Sequence, residues 1–131
     1  MDNHYSMKEI TSITGITASA LRYYEKEKIL PFIERNQKGV RRYNDQNLEW
    51  IHFILALRST NMSIAEIKWY VNLYHQGEET IEERRKLLHD HQQKVAEEVK
   101  LQQKYLKRIS KKIALYDDVT TDLQTIACEI H

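Results

Sequence analysis

The sequence predicts an all-α chain with a small β wing: short helices, one hairpin, and then longer helices that end in a single very long one. Three observations carry that prediction. Three glycines and one proline are the only breakers in 131 residues, where a combined share of about 12 % is usual, so material for the tight turns of a sandwich, barrel or wound sheet is scarce. Ser6 with Glu9 and Ser63 with Glu66 have the spacing of capping boxes at helix starts. The final third of the chain repeats apolar residues in heptads without a glycine or proline to interrupt them.

Ser6 opens a short first helix that Gly15 should stop. Thr17 caps a second, from Ala18 to about Glu27, with Leu21 and Tyr24 on one face. Two short helices joined by Thr14-Gly15-Ile16-Thr17 read as a helix-turn-helix. Leu30-Pro31 ends the helical stretch, because the residue before proline disfavours the α region. From Phe32 to Tyr43, β-type residues flank Asn36-Gln37-Lys38-Gly39, a hairpin in which Gly39 takes a positive φ. A basic hairpin after a helix-turn-helix is a wing. Asn44 or Asp45 caps a helix through Ile51, Ile54 and Leu57 to near Asn61, and Ser63 caps another through Ile67 and Val71 to about His75.

After the break at Gln76-Gly77, Thr80 caps a helix expected to run through about Asp117, roughly 57 Å at ~1.5 Å per residue. Its seam positions are Ile81, Leu88, Val95, Gln102, Ile109 and Tyr116 on one row, and Arg85, Gln92, Val99, Leu106 and Ile113 on the other. Eight of these eleven are apolar, with Arg85, Gln92 and Gln102 placed to set the register. One apolar stripe in water is an association site, so the helix requires a partner chain. Residues 1–76, 77–117 and 118–131 are therefore read as a winged helix-turn-helix unit, a dimerisation helix and a short tail. Val119, Leu123, Ile126 and Ile130 give that tail an amphipathic pattern suited to packing against the dimer.

Composition bounds the rest. With 41 % hydrophobic and 30 % charged residues the chain can bury a core. Its longest uncharged apolar run, Trp50 to Leu57, contains His52 and is too short to span a bilayer. The N-terminal MDNHYSMKEI carries Asp2 and no apolar stretch of a secretory signal, so a cytoplasmic location is expected. The single cysteine, Cys128, excludes an intramolecular disulfide and a zinc site built on several cysteines. His89 and His91 lie about 200° apart around a helix, which prevents chelation by that helix. Nothing resembles a Ser/His/Asp set, a phosphate loop or HExxH, so neither catalysis nor a cofactor is expected.

The net charge of +1 hides a strongly basic stretch. Between residues 22 and 42, Arg22, Lys26, Lys28, Arg35, Lys38, Arg41 and Arg42 stand against Glu25, Glu27 and Glu34, interleaved with Tyr23, Tyr24 and, just beyond, Tyr43. Such a patch meets phosphates. Arg22 offers a planar fork for guanine O6 and N7 or for a phosphate; its bland alternative is an ion pair with Glu25. Tyr23 and Tyr24 lie ~100° apart on their helix, so one packs and the other presents its hydroxyl. A coiled-coil interaction protein without specific DNA binding is the rival reading, favoured if Arg22 and Arg41 are buried in intramolecular pairs.

Ala20-Leu21-Arg22-Tyr23-Tyr24-Glu25, Gly39-Val40-Arg41-Arg42-Tyr43 and Met62-Ser63-Ile64-Ala65-Glu66-Ile67 occur in an order and spacing that resembles the MerR-type winged-helix transcription regulators. The resemblance spans residues 5 to about 75 and continues into the long helix. It implies a homodimer joined by an antiparallel coiled coil, with the second helix of each subunit in a major groove and each wing on the flanking backbone. It further implies that the dimer bends and untwists an over-long promoter spacer so that RNA polymerase can engage. By resemblance Arg22, Tyr23 and Tyr24 are recognition-helix contacts, Arg41 is the wing arginine and Arg58 lies near phosphates. Ser19 sits where the family carries a variable base reader, while Lys38 and Arg42 are further candidates. Trp50-Ile51-His52-Phe53-Ile54, Gln76-Gly77 and Thr80-Ile81 with Arg84 are similar to the aldehyde- and electrophile-responsive branch, linked to stress. That branch's sensor cysteine is matched here by Ala56. Any small-molecule effector must use a shallow site, since no large binding module follows. Cys128, near the end, is expected to be an ordinary, slowly reacting thiol.

Overall fold

The structure is a computed structural model that describes residues 3–130, the side chains of 125–130 aside. Its elements are β1 (His4–Tyr5), α1 (Met7–Thr14), α2 (Ala18–Lys26), β2 (Glu34–Arg35), β3 (Arg41–Asn44), α3 (Asp45–Ser59), α4 (Ile64–His75), a 3₁₀ turn (Glu78–Thr80) and α5 (Ile81–Ile130). Two compact units divide between Leu88 and His89.

The helix starts follow from side-chain capping. Ser6 Oγ accepts from Glu9 N while Glu9 Oε1 accepts from Ser6 N. Thr17 Oγ1 accepts from Ala20 N, and Ser63 Oγ from Glu66 N. Asn44, not Asp45, caps α3, in a reciprocal box with Asn47 that satisfies this buried amide at 2.8 and 2.9 Å. Gly15 closes α1 at φ 77°, a left-handed conformation that costs glycine nothing.

In the wing, β2 pairs antiparallel with β3, Glu34 opposite Arg42 and Arg35 opposite Arg41. Gly39 takes φ 78° in the turn, as expected. Asn36 Oδ1 accepts from both Lys38 N and Val40 N. A third strand, β1, pairs with the other edge of β3 and was not foreseen. Two residues preceding a helix carry too little periodicity to read as a strand.

Two apolar clusters form the core of the first unit. Ile10, Ile16, Leu21, Leu30, Ile33, Tyr43 and Ile51 make one, under the helix-turn-helix and wing. Ile29, Ile54, Leu57, Met62, Ile67, Tyr70 and Val71 make the other, between α3 and α4. Tyr24 and Trp50 pack against both, and Trp50 Nε1 donates to the Ile29 carbonyl at 2.9 Å. Tyr43 departs from the surface patch the sequence suggested. It is fully buried, and burial pushes its phenol up, because alternation along β3 turns Arg41 and Tyr43 inward and Arg42 outward.

Two expectations about the long helix are corrected. Thr80 does not cap it by accepting a backbone N–H; its buried hydroxyl donates to Leu73 O at 2.5 Å and also bonds Gly77 O, ending the preceding turn. Nor does the helix stop near Asp117: α5 continues to Ile130, 50 residues in all and ~75 Å long. Residues 118–130 hold no glycine or proline, so nothing in the backbone ends it. The side chains of Ile126, Cys128 and Ile130 lie outside the described residues.

Candidate nucleic-acid interface

The second helix of the helix-turn-helix is anchored from behind and open in front. Leu21 is fully buried and Tyr24 half-buried, while Ser19, Arg22 and Tyr23 are exposed. The two tyrosine rings lie 5.8 Å apart, tilted by 57°, so the packed ring supports the exposed one. One tyrosine packs and its neighbour faces outward, as the 100° step requires. Arg22 has no ion-pair partner among the described residues, and its guanidinium is available to an external acceptor.

Glu25 is engaged elsewhere. Its carboxylate accepts from Arg41 Nε at 2.6 Å and lies 3.6 Å from Arg35 Nη2. The condition favouring the rival reading is therefore met only at Arg41, whose side chain remains 24 % exposed. Arg42 and Lys38 are exposed on the wing, Arg42 on the face opposite Arg41. Arg58 is exposed but already donates Nη1 to the Met62 carbonyl at 2.9 Å, securing the turn between α3 and α4. Away from this face Lys68 binds Glu27 at 2.6 Å, and that hydrogen bond lowers the Glu27 pKa and raises that of Lys68. The carboxylate's small contribution is thus present above the ordinary glutamate pKa and lost as pH falls through the depressed one.

Sequence reasoning placed Glu25 and Arg35 in the charged stretch but missed Glu25 as a wing contact and Arg35 as one of its partners. The partners are separated by 10 and 16 residues, and local spacing carries no signal for such pairs. The fold alone brings the wing strands to α2.

In α5 the seam positions Ile81, Val99, Leu106, Ile109, Ile113 and Tyr116 are 48–62 % exposed, and Gln102 is exposed with them. Val95 is half-buried. Leu88 differs, since it packs with Leu87 on the second core cluster of its own unit. Leu123, 62 % exposed, extends the same row one heptad past Tyr116. No group of three or more potential metal ligands occurs among the described residues, and no helix there is long and apolar enough to cross a membrane.

Residues 5–73 match the profile of MerR HTH family regulatory proteins, and residues 48–111 match that of MerR, DNA binding. The HTH-type transcriptional regulator AdhR of Bacillus subtilis is 33 % identical over 92 residues, 70 % of this chain and 66 % of that protein. An uncharacterized HTH-type transcriptional regulator of Haemophilus influenzae is 33 % identical over 112 residues, 86 % of this chain and 83 % of its own length. Among solved structures, HiNmlR, a MerR family regulator lacking the sensor domain and bound to promoter DNA, aligns with a TM-score of 0.83 at 32 % identity. That alignment covers 88 % of this chain and 87 % of HiNmlR. A MerR family regulator from Listeria monocytogenes aligns at TM-score 0.81 and 30 % identity, covering 97 % and 99 %.

Proposed function

The chain belongs to the MerR family of helix-turn-helix regulatory proteins, and on that premise we propose that it is a homodimer controlling transcription by bending and untwisting a promoter spacer for RNA polymerase. The observation that carries this reading is the exposed Arg22, without an ion-pair partner among the described residues, beside half-exposed Tyr23 on α2 and flanked by the basic wing. Residues 1–76 then hold the DNA-binding surface, built on Arg22, Tyr23, Lys38 and Arg42, with Ser19 at the variable reading position. Arg41 reaches the backbone from the wing.

Dimerisation is assigned to the seam of α5. Two antiparallel copies place Val95 against the partner's Val99, Leu88 against the partner's Leu106 and Gln92 against the partner's Gln102 in one register. A slip of one heptad either way would separate the two glutamines and set at least one of them against an aliphatic residue, Gln92 against Ile109 and Gln102 against Val99 in one direction and Gln92 against Val95 in the other, where a buried amide loses its partner. No catalysis and no cofactor are assigned, in keeping with relatives named as transcriptional regulators. A cytoplasmic site of action accompanies the promoter. Ala56 is exposed on α3 and has no thiol chemistry, so the signal is assigned to a non-covalent ligand or a partner.

Counterion release gives the test. Two copies of the basic stretch neutralising several phosphates each make log K fall linearly with log salt, at about 0.9 per phosphate contacted. Titration of duplex DNA at stepped salt should lose on the order of 10³-fold affinity between 50 and 200 mM. Affinity that does not change with salt would contradict the reading.

A further inference from the structure

We propose that Glu25 is a positioning residue: it does not touch DNA but fixes the wing to the recognition helix, and thereby sets the discrimination between operator and random sequence. The inference rests on the DNA-binding reading above. A carboxylate at this place is otherwise unfavourable twice over. Glu25 lies in the last turn of α2, where the helix dipole disfavours an acid, and it sits on the surface assigned to phosphates. Two cations account for its presence. Arg35 and Arg41 stand directly opposite each other across the hairpin, and like charges so placed destabilise a ladder. One carboxylate oxygen serves each of them, Oε2 at 2.6 Å from Arg41 Nε and Oε1 at 3.6 Å from Arg35 Nη2.

The clamp engages both strands and the turn. Arg35 spends Nη1 on the Gly39 carbonyl at 2.8 Å, closing the hairpin tip. Arg41 gives Glu25 only its Nε, and its terminal nitrogens make no hydrogen bond among the described residues. Because a guanidinium is planar, pinning Nε also aims those two donors. The side chains of Glu25 and Arg41 are 26 % and 24 % exposed, so the pair is shielded better than an ordinary surface bridge. The result is a fixed offset between Arg22 on α2 and the donors of the wing. A two-point gauge of this kind favours one DNA geometry over others.

The test separates charge from geometry. Full-length wild type, Glu25→Gln and Glu25→Asp would be titrated against a duplex bearing the site recovered from random-sequence selection and against a scrambled duplex, with thermal melting to verify folding. Removing a negative charge from a DNA-facing surface raises affinity for every duplex alike. Glu25→Gln should instead lower the specific-to-random ratio at least tenfold while random affinity holds or rises. Glu25→Asp keeps the charge but falls short of both arginines, so it should lower the ratio without raising random affinity, and it provides the reading if the glutamine variant does not fold. In an Arg35→Ala/Arg41→Ala background the Glu25→Gln change should move the ratio less than twofold. A ratio within twofold of wild type in both Glu25 variants, or a full tenfold drop in the arginine-free background, would overturn the proposal. Failure of the wild type itself to prefer its selected site would overturn the DNA-binding reading, and with it the premise.

Discussion

Leu106→Asp and Ile109→Asp are each expected to convert the protein to monomers at micromolar concentration, read by sedimentation velocity. Both side chains are about 60 % exposed on α5, and they belong to an apolar seam of which Ile81, Val99, Leu106, Ile109, Ile113 and Tyr116 are exposed in the single chain. In the antiparallel register Leu106 faces the partner's Leu88, so two-fold symmetry introduces each carboxylate twice. An unpaired buried charge costs several kcal/mol. A dimer half-assembled at micromolar concentration is held by about 8 kcal/mol, so two such costs remove most of it. Dimers that persist in both variants would place the interface elsewhere on the chain.

Arg22→Ala carries the second large effect. Arg22 is exposed and free of ion pairs among the described residues, on a helix whose other face is locked by Leu21 and Tyr24. A bidentate arginine–base contact discriminates by about 1–3 kcal/mol, and a dimer makes it twice. Binding to the specific duplex should fall by roughly tenfold to a hundredfold per half-site, with random-sequence affinity falling far less. Arg41→Ala should weaken both duplexes through the lost phosphate contact, and because it also removes one arm of the Glu25 clamp it should lower the specific-to-random ratio as Glu25→Gln does. Electrophoretic titrations in which Arg22→Ala leaves the specific complex unchanged would remove this residue from the reading surface.

What the sequence made legible was local. Ser6, Thr17 and Ser63 announce helix starts through contacts three residues away, and Gly15 and Gly39 mark left-handed positions that spacing alone predicts. The heptad row shows itself over dozens of residues, so the long helix was plain, though its end was set too early, near Asp117, where the helix in fact continues to Ile130. The parts that escaped depend on contacts distant in sequence. β1 exists because β3 offers it an edge, Tyr43 is buried because Arg41 and Tyr43 share the inward face of a strand, and Glu25 finds Arg35 and Arg41 instead of its helix neighbour Arg22. At the interface the residue types were readable, but which arginine was free and which was spoken for was not. Arg41 and Arg58 have intramolecular partners, whereas Arg22 and Arg42 do not among the described residues.

Selection of binding sites from a pool of random duplexes by the full-length protein tests the central claim most directly. A dimer that presents two recognition helices about a two-fold axis reads the same bases twice in opposite directions. The enriched sequences should therefore be inverted repeats with one fixed half-site spacing, and enrichment should vanish for Leu106→Asp. A pool that stays random through successive rounds, or a motif without two-fold symmetry, would contradict a dimeric promoter-binding regulator.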